Sequence, residues 1–248
     1  MHNLTLLLIH GLAGSLDYFD PSSRIASASV HTLDLLGYGG LRDVSQDRLT
    51  LQAQAEHVAS CLKTQCQTPV WLLGHSMGGA VVMLVADQRP ELVRGIINVE
   101  GNFTLKDAFW ASKIVIKSPG EWAEEYRRMV QDVPATVAAW HIAPSPQHIE
   151  WLAKILAYQP ASTIYAMSRA IIEETGDPGY LEMVCRVVER GVPIHLIAGE
   201  RSAKAWDVPD FVRAAARSYT EIAGAGHLMM LEEPDALCRV VDSIITSE

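Results

Sequence analysis

Residues 70–79, with the sequence VWLLGHSMGG, contain the pattern that is most informative about the fold. Its first four residues form a continuous apolar run, which is typical of a strand buried on both faces of a parallel sheet. The residues from Met77 to Gln88 predict a helix directly afterwards. Between the strand and the helix lies a G-x-S-x-G motif, and this setting is the one in which the motif presents a nucleophilic serine. We therefore predict that Ser76 lies on a tight, strained turn above the sheet.

The same alternation of strands and helices extends outward in both directions. Apolar runs predict further strands at 4–9, 30–35, 95–99, 193–198 and 219–223, and helical periods predict helices at about 50–63, 209–217 and 234–245. Strands that alternate with helices at this spacing form parallel sheets, because each crossover needs a helix. The sequence predicts an α/β fold with a doubly wound, mostly parallel sheet.

The strand signal disappears between residues 103 and 190. Helical periods broken by prolines replace it, and four of the six tryptophans lie there: Trp110, Trp122, Trp140 and Trp151. A helical insertion late in a parallel sheet is a natural cover for the strand ends, where open α/β sheets bind ligands. We predict a core formed by residues 1–102 and 191–248, with a helical cap, residues 103–190, inserted in it.

Composition excludes several classes of protein. The 248 residues include 20 basic and 29 acidic side chains, a net charge of −9, which argues against nucleic acid as a partner. The C-x4-C pair at Cys61 and Cys66 lacks the further ligands of a zinc site. No signal-peptide pattern precedes the first strand, and the longest apolar run is far shorter than a membrane span. We expect a cytoplasmic protein without metal, nucleic-acid or membrane partners.

A nucleophilic serine needs a base and a site for negative charge. Of the nine histidines, His227 lies on the loop directly after the last predicted strand, which makes it the candidate base. The backbone N–H of Met77, at the start of the helix, and that of Leu12, on the loop after the first strand, are the candidate oxyanion donors. His10 is expected to be structural and to hold that loop through its ring.

Together these features resemble the α/β-hydrolase superfamily, in particular its small, capped, single-domain serine hydrolases. The resemblance covers essentially the whole chain and is carried by four motifs: His10-Gly11, the loop at residues 34–39, the Ser76 turn, and Gly226-His227. Leu36 stands where the family's D-x-P-G-x-G loop has proline. The resemblance implies a sheet of about six strands and no cofactor. Esterases, C–C bond hydrolases, cofactor-free haloperoxidases and the menaquinone-pathway synthase share this layout.

The resemblance also implies an acid, and the sequence departs from the family at that point. The family's aspartate follows the penultimate strand in a G-x-x-D pattern, where this chain has Ser202. Glu100, at the end of a neighbouring strand, is the candidate we favour. Asp207 and Glu200 remain alternatives, as does the absence of any acid.

We therefore expect an enzyme, a carboxylesterase-like α/β-hydrolase of the EC 3.1.1 class. It would cleave a small or medium, mostly apolar carboxylic ester or thioester through an acyl-enzyme on Ser76, with His227 and Glu100 completing a catalytic triad. C–C bond hydrolysis or a lyase reaction with the same Ser-His pair is the alternative. A third hypothesis is a non-catalytic ligand receptor on the same scaffold, and its only support is that Ser202 replaces the family's aspartate. The sequence leaves the physiological substrate and the oligomeric state open.

Overall fold

The computed structural model describes residues 4–248, so His2 lies outside the described residues. Within that range the chain forms one six-stranded, entirely parallel sheet with the strand order β2-β1-β3-β4-β5-β6. The strands are β1 (Thr5–Ile9), β2 (Ser29–Thr32), β3 (Val70–His75), β4 (Val93–Val99), β5 (Ile194–Gly199) and β6 (Ser218–Ile222). The predicted α/β class and strand number are confirmed.

Helices cover both faces of the sheet and fill the long segment between β4 and β5. They are α1 (Pro21–Arg24), α2 (Leu51–Gln65), α3 (Met77–Gln88), α4 (Phe109–Val115), α5 (Pro119–Gln131), α6 (Val133–Ala139), α7 (Pro146–Ala157), α8 (Ala161–Thr175), α9 (Pro178–Glu189), α10 (Asp210–Ala215), α11 (Met229–Glu232) and α12 (Pro234–Ser247). Single 3-10 turns lie at Gly39–Leu41, Gln46–Arg48, Pro90–Leu92, Leu105–Asp107 and Ala203–Ala205.

Burial along the strands explains why their sequences look as they do. Every residue of β3 and of β5 is buried, which matches their continuous apolar runs. The two edge strands, β2 and β6, are mostly exposed or half-buried. Strand β2 ends at Thr32, although the apolar pattern predicted a strand over residues 30–35. An edge strand has only one neighbour, so the chain leaves the sheet earlier, where its pairing with β1 stops.

Strand order determines where a binding crevice forms. From β1 the chain moves to one side of the sheet to form β2 and then returns to the other side to form β3. Loops leaving the carboxyl ends of β1 and β3 therefore diverge, and open α/β sheets bind ligands at such a point. The loop with Leu12 follows β1, and the turn with Ser76 follows β3.

Helices α4 to α9 occupy the segment for which we predicted a cap. Helix α9 packs against α3, and Arg186 of α9 forms an ion pair with Asp87 near the end of α3. The boundaries of the cap, residues 103–190, stay a prediction. None of the helices between residues 4 and 248 is both long and apolar enough to cross a bilayer.

Candidate active site

Ser76 lies on the turn between β3 and α3 in a conformation that side chains rarely adopt. Its backbone has φ 52° and ψ −120°, and positive φ at a non-glycine residue costs about 1–3 kcal/mol. The turn is possible because strand and helix approach closely at glycines. A Cβ atom on Gly78 would lie 2.3 Å from the carbonyl oxygen of Ile9. The serine is half-buried, and it lines a cavity at the carboxyl end of the sheet.

The predicted oxyanion donors are the backbone N–H groups of Met77 and Leu12. Met77 is the first residue of α3, so its N–H has no acceptor within the helix. The N–H of Leu12 has no backbone acceptor within residues 4–248. The Leu12 carbonyl accepts a hydrogen bond of 2.9 Å from the Tyr38 hydroxyl, and the His10 ring bonds the Gly11 carbonyl at 2.8 Å. These bonds hold the loop after β1 in place.

His227 contacts the carboxylate that we favoured from the sequence. Its Nδ1 lies 2.6 Å from Oε2 of Glu100, whose side chain is only 3% exposed. The Glu100 backbone follows β4 directly and has φ 42°, a second strained position beside Ser76. Because Nδ1 is engaged by the carboxylate, Nε2 is the nitrogen left to exchange a proton with a substrate or a serine. His227 lines the same cavity as Ser76.

The other oxygen of Glu100 is held by the loop after β5. Oε1 accepts 2.6 Å from the hydroxyl of Ser202 and 2.8 Å from the N–H of Gly199. Burial alone would raise the pKa of the Glu100 carboxyl, but hydrogen bonds from His227, Ser202 and Gly199 outweigh it, and the pKa lies below its usual value. Glu100 is therefore a carboxylate, and the serine at the family's acid position donates to it.

Both alternative acids lie away from His227. Asp207 accepts a hydrogen bond from the Thr104 hydroxyl at 2.7 Å and forms an ion pair with Lys106 at 3.1 Å. Glu200 is exposed and accepts from the N–H of Gly224 at 2.7 Å. Of the three carboxylates considered from the sequence, the structure brings only Glu100 to the imidazole.

His75, which precedes Ser76, contacts His227 in a way that the sequence reasoning missed. Its Nε2 lies 2.9 Å from the His227 carbonyl oxygen, and the two rings lie 4.7 Å apart. Burial, and next the positive charge that His227 can carry, lower the pKa of His75 well below its usual value. A neutral ring in this geometry donates its Nε2 proton to the carbonyl. The only sequence signal was its place beside the serine, inside the turn.

The cavity above Ser76 measures about 630 Å³ and is mainly apolar. Aromatic and aliphatic side chains from the loop after β1 and from the segment between β4 and β5 form its walls: Leu12, Tyr18, Phe109, Trp110, Trp140 and Ile142. Trp110 packs edge-on against Trp140, with ring centroids 5.6 Å apart. Phe109 lies edge-on to the His227 ring at 5.5 Å. The predicted cap residues thus contribute directly to the cavity.

Charged groups in the cavity wall are few and balanced. Two are acidic, Asp107 and Glu232, and two are basic, Lys113 and Arg201. Asp107 accepts hydrogen bonds from three backbone N–H groups, those of residues 103, 104 and 207. Arg201 and Glu232 form an ion pair at 2.6 Å. The acidic and basic side chains of the wall are therefore equal in number, and most of them already have partners in the protein.

Within residues 4–248 no three His, Cys, Asp or Glu side chains are grouped in a way that could hold a metal ion. The four cysteines are free thiols.

Fold and site together define a class: an α/β protein with a serine on a strand–turn–helix elbow, a histidine that contacts a buried carboxylate, and two backbone N–H groups nearby. The chain belongs to the alpha/beta hydrolase family, whose model matches residues 6–240.

Proteins similar to this chain include a synthase and a carboxylesterase. The chain is 28% identical to a 2-succinyl-6-hydroxy-2,4-cyclohexadiene-1-carboxylate synthase of Klebsiella pneumoniae, over 98% of this chain and 94% of that protein. The structure of this chain is similar to that of a carboxylesterase from the thaumarchaeon Nitrososphaera gargenis. The TM-score is 0.75, and the identity is 15% over 98% of this chain and 91% of the other. It is also similar to MenH from S. aureus, with a TM-score of 0.64 and 22% identity over 100% and 95% of the two chains.

Proposed function

We propose that the protein hydrolyses a small or medium, mostly apolar carboxylic ester or thioester through an acyl-enzyme on Ser76. Ser76, His227 and Glu100 are the catalytic residues in this proposal, and the N–H groups of Leu12 and Met77 bind the oxyanion. No cofactor takes part. The contact of 2.6 Å between Glu100 and Nδ1 of His227 carries the proposal, because it leaves Nε2 available as the base.

The proposed reaction has two steps. The Ser76 hydroxyl attacks the ester carbonyl carbon while His227 accepts its proton, and the resulting oxyanion is stabilised by the two N–H groups. The carbon–oxygen bond to the leaving group then breaks, and His227 protonates the departing alcohol or thiol. Water, deprotonated by His227, then attacks the carbonyl carbon of the acyl-enzyme. The bond from that carbon to the Ser76 oxygen breaks, His227 returns the proton to this oxygen, and the acid is released. Glu100 keeps the imidazole in the required tautomer and stabilises its protonated form in both steps.

The charge balance and the apolar surface of the cavity wall favour an uncharged substrate. Its two acidic and two basic side chains cancel, and of the four only Lys113 lacks an ion pair or hydrogen bond within residues 4–248. Apolar side chains make up most of the remaining surface. Burying a charged group without a partner is costly, whereas an apolar acyl chain gains free energy from burial in such a cavity.

Labelling and turnover test the proposal together. We expect a fluorophosphonate probe to label the wild-type protein and p-nitrophenyl butyrate to be hydrolysed, with both activities lost in Ser76→Ala. As a matched control, Ser202→Ala changes a serine that is near the site but is not the nucleophile, and it should still be labelled. If the wild-type protein is neither labelled nor active on the ester, the esterase proposal fails.

A second candidate is the reaction of the Klebsiella synthase, because the two chains match over nearly their whole lengths. The compound in that relative's name contains a succinyl group and a carboxylate, so that compound is an anion. To separate the candidates, the purified protein is given the precursor that the Klebsiella enzyme converts, and formation of the named product is followed. Formation of this product without hydrolysis of p-nitrophenyl esters would favour the second candidate.

A further inference from the structure

The loop that carries His227 is held by an ion pair that lies outside the proposed triad. Arg201 follows β5 on the loop next to Ser202, and Glu232 is the last residue of α11. The nitrogen Nη2 of Arg201 lies 2.6 Å from Oε2 of Glu232. The Glu232 side chain is only 9% exposed, and both residues line the cavity.

Each partner of this pair also binds the backbone just before His227. Oε1 of Glu232 accepts 2.8 Å from the N–H of Gly226, and Nη1 of Arg201 donates 2.9 Å to the carbonyl of Gly224. The backbone N–H of Arg201 donates to the carbonyl of Ala225 at 3.0 Å. Three successive residues before His227 are thus bound by one arginine and one glutamate.

Gly226 lies in close contact with both side chains of the pair. A Cβ atom there would lie 2.9 Å from Nη2 of Arg201 and 3.3 Å from Oε1 of Glu232. The pair therefore lies directly against the peptide that precedes His227. An exposed ion pair contributes little to stability in general. Bonds from charged groups to the backbone of a loop, in contrast, restrict where that loop can lie.

We propose that the Arg201–Glu232 pair is a positioning device for His227. It fixes the loop at residues 224–226 so that Nδ1 of His227 stays on Glu100 while Nε2 faces the cavity. This inference rests on the proposed function, in which His227 is the base. Displacement of a reacting group by about 1 Å can cost about a hundredfold in rate without a matching loss of binding. The pair should accordingly affect kcat far more than KM.

Variants of both partners test the proposal on the intact protein with p-nitrophenyl butyrate. In Glu232→Ala and in Arg201→Ala we expect kcat to fall by about 10- to 100-fold, with KM changed by less than about twofold. Glu232→Gln keeps an oxygen for the Gly226 N–H and should recover most of the loss. The double alanine variant should be no slower than the slower single variant, because the two residues act as a unit.

A second ion pair in the chain provides a matched control. Arg186 has the same side-chain exposure as Arg201, 48%, and pairs with Asp87 at 2.8 Å, but none of the cavity-lining residues belongs to this pair. Arg186→Ala should therefore leave kcat and KM unchanged. The positioning role is wrong if Glu232→Ala and Arg201→Ala retain wild-type kcat. It is also wrong if Glu232→Gln, Glu232→Ala and Arg186→Ala are all equally slow.

Proton NMR tests the positioning role separately from the esterase proposal, because the measurement needs no substrate. The Nδ1 proton of His227 in its short bond to Glu100 should give a far-downfield resonance in the wild-type protein. We expect Glu232→Ala to broaden or remove that resonance and Arg186→Ala to preserve it. If the wild-type protein is inactive on esters, the resonance still decides the positioning role. A resonance unchanged in Glu232→Ala would overturn it.

Discussion

At the scale of single residues, the distinctive feature is the position of the carboxylate. Glu100 lies at the end of β4, whereas the family's aspartate follows the next strand, where this chain has Ser202. The two strands are hydrogen-bonded neighbours, so their carboxyl ends lie side by side and either could supply an acid to the same imidazole. The Ser202 hydroxyl, which donates to Glu100 at 2.6 Å, helps to keep the relocated acid ionised.

Substitution of this acid should slow turnover. Glu100→Gln keeps the size of the side chain but removes its charge, so the tautomer of His227 is no longer fixed and its protonated form is no longer stabilised. We expect kcat on p-nitrophenyl butyrate to fall by about 10³- to 10⁴-fold. Asp207→Asn is the control and should stay near wild type, because Asp207 bonds Thr104 and Lys106 instead. The reverse result, with loss only in Asp207→Asn, would move the acid to residue 207.

At the scale of elements, helix α4 determines much of the cavity. It places Phe109 beside His227 and Trp110 against Trp140, and Trp110 also packs edge-on against Trp122 at 6.1 Å. Trp122 is anchored in turn, because its Nε1 donates 2.8 Å to the carbonyl of Ala161. The aromatic side of the cavity is thus a packed cluster rather than a set of independent side chains.

Chain-length preference follows from this cluster. Trp110→Ala removes an indole from the cavity wall and should admit longer acyl chains. We expect the ratio of kcat/KM for p-nitrophenyl octanoate to that for the butyrate to rise by about tenfold or more, since each added methylene is worth about 1 kcal/mol of binding when buried. Trp151→Phe is the control, because Trp151 is buried in α7 and is not among the cavity-lining residues. An unchanged ratio in Trp110→Ala would show that acyl chains do not reach this wall.

At the scale of the whole molecule, neutral histidines are part of the core. His10 is 1% exposed, and burial lowers its pKa to about 4, although its bond to the Gly11 carbonyl opposes the shift. His75 is shifted in the same direction by burial. Below pH 6.5 the unfolded chain binds protons at these residues while the folded chain does not. The free energy of unfolding must therefore fall as the pH falls, until His10 also protonates in the folded state near pH 4.

Urea unfolding at several pH values measures this effect. The pKa difference at His10 alone predicts that the free energy of unfolding falls by about 2 kcal/mol between pH 7 and pH 5. His10→Gln should lower the stability at pH 7 but flatten this dependence by a similar amount. His31→Gln, at an exposed position of the edge strand β2, should retain the wild-type slope. Equal slopes in wild type and His10→Gln would contradict a neutral buried His10.

Much of this molecule could be predicted from its sequence because the relevant signals are local. The apolar runs predicted the six strands, and the G-x-S-x-G motif between a strand and a helix predicted the turn at Ser76. Short elements without a periodic pattern, α1 and α11, were missed because four residues are too few to show one. The candidate roles of Ser76, His227 and Leu12 followed from their places at strand ends, and these roles stay predictions until the variants are measured.

What the sequence determined by itself was therefore the order of the elements and the loops that carry the candidate groups. The tertiary structure decided which of these groups meet. Glu100 and His227 are 127 residues apart, and three carboxylates were compatible with the sequence until the ends of β4, β5 and β6 were placed. The same holds for His75 and for the Arg201–Glu232 pair. The burial of a strand or helix determines the spacing of apolar residues that are close together in the sequence, so it can be predicted locally. Contacts between strand ends depend on sheet order and loop paths, and no local sequence pattern predicts them.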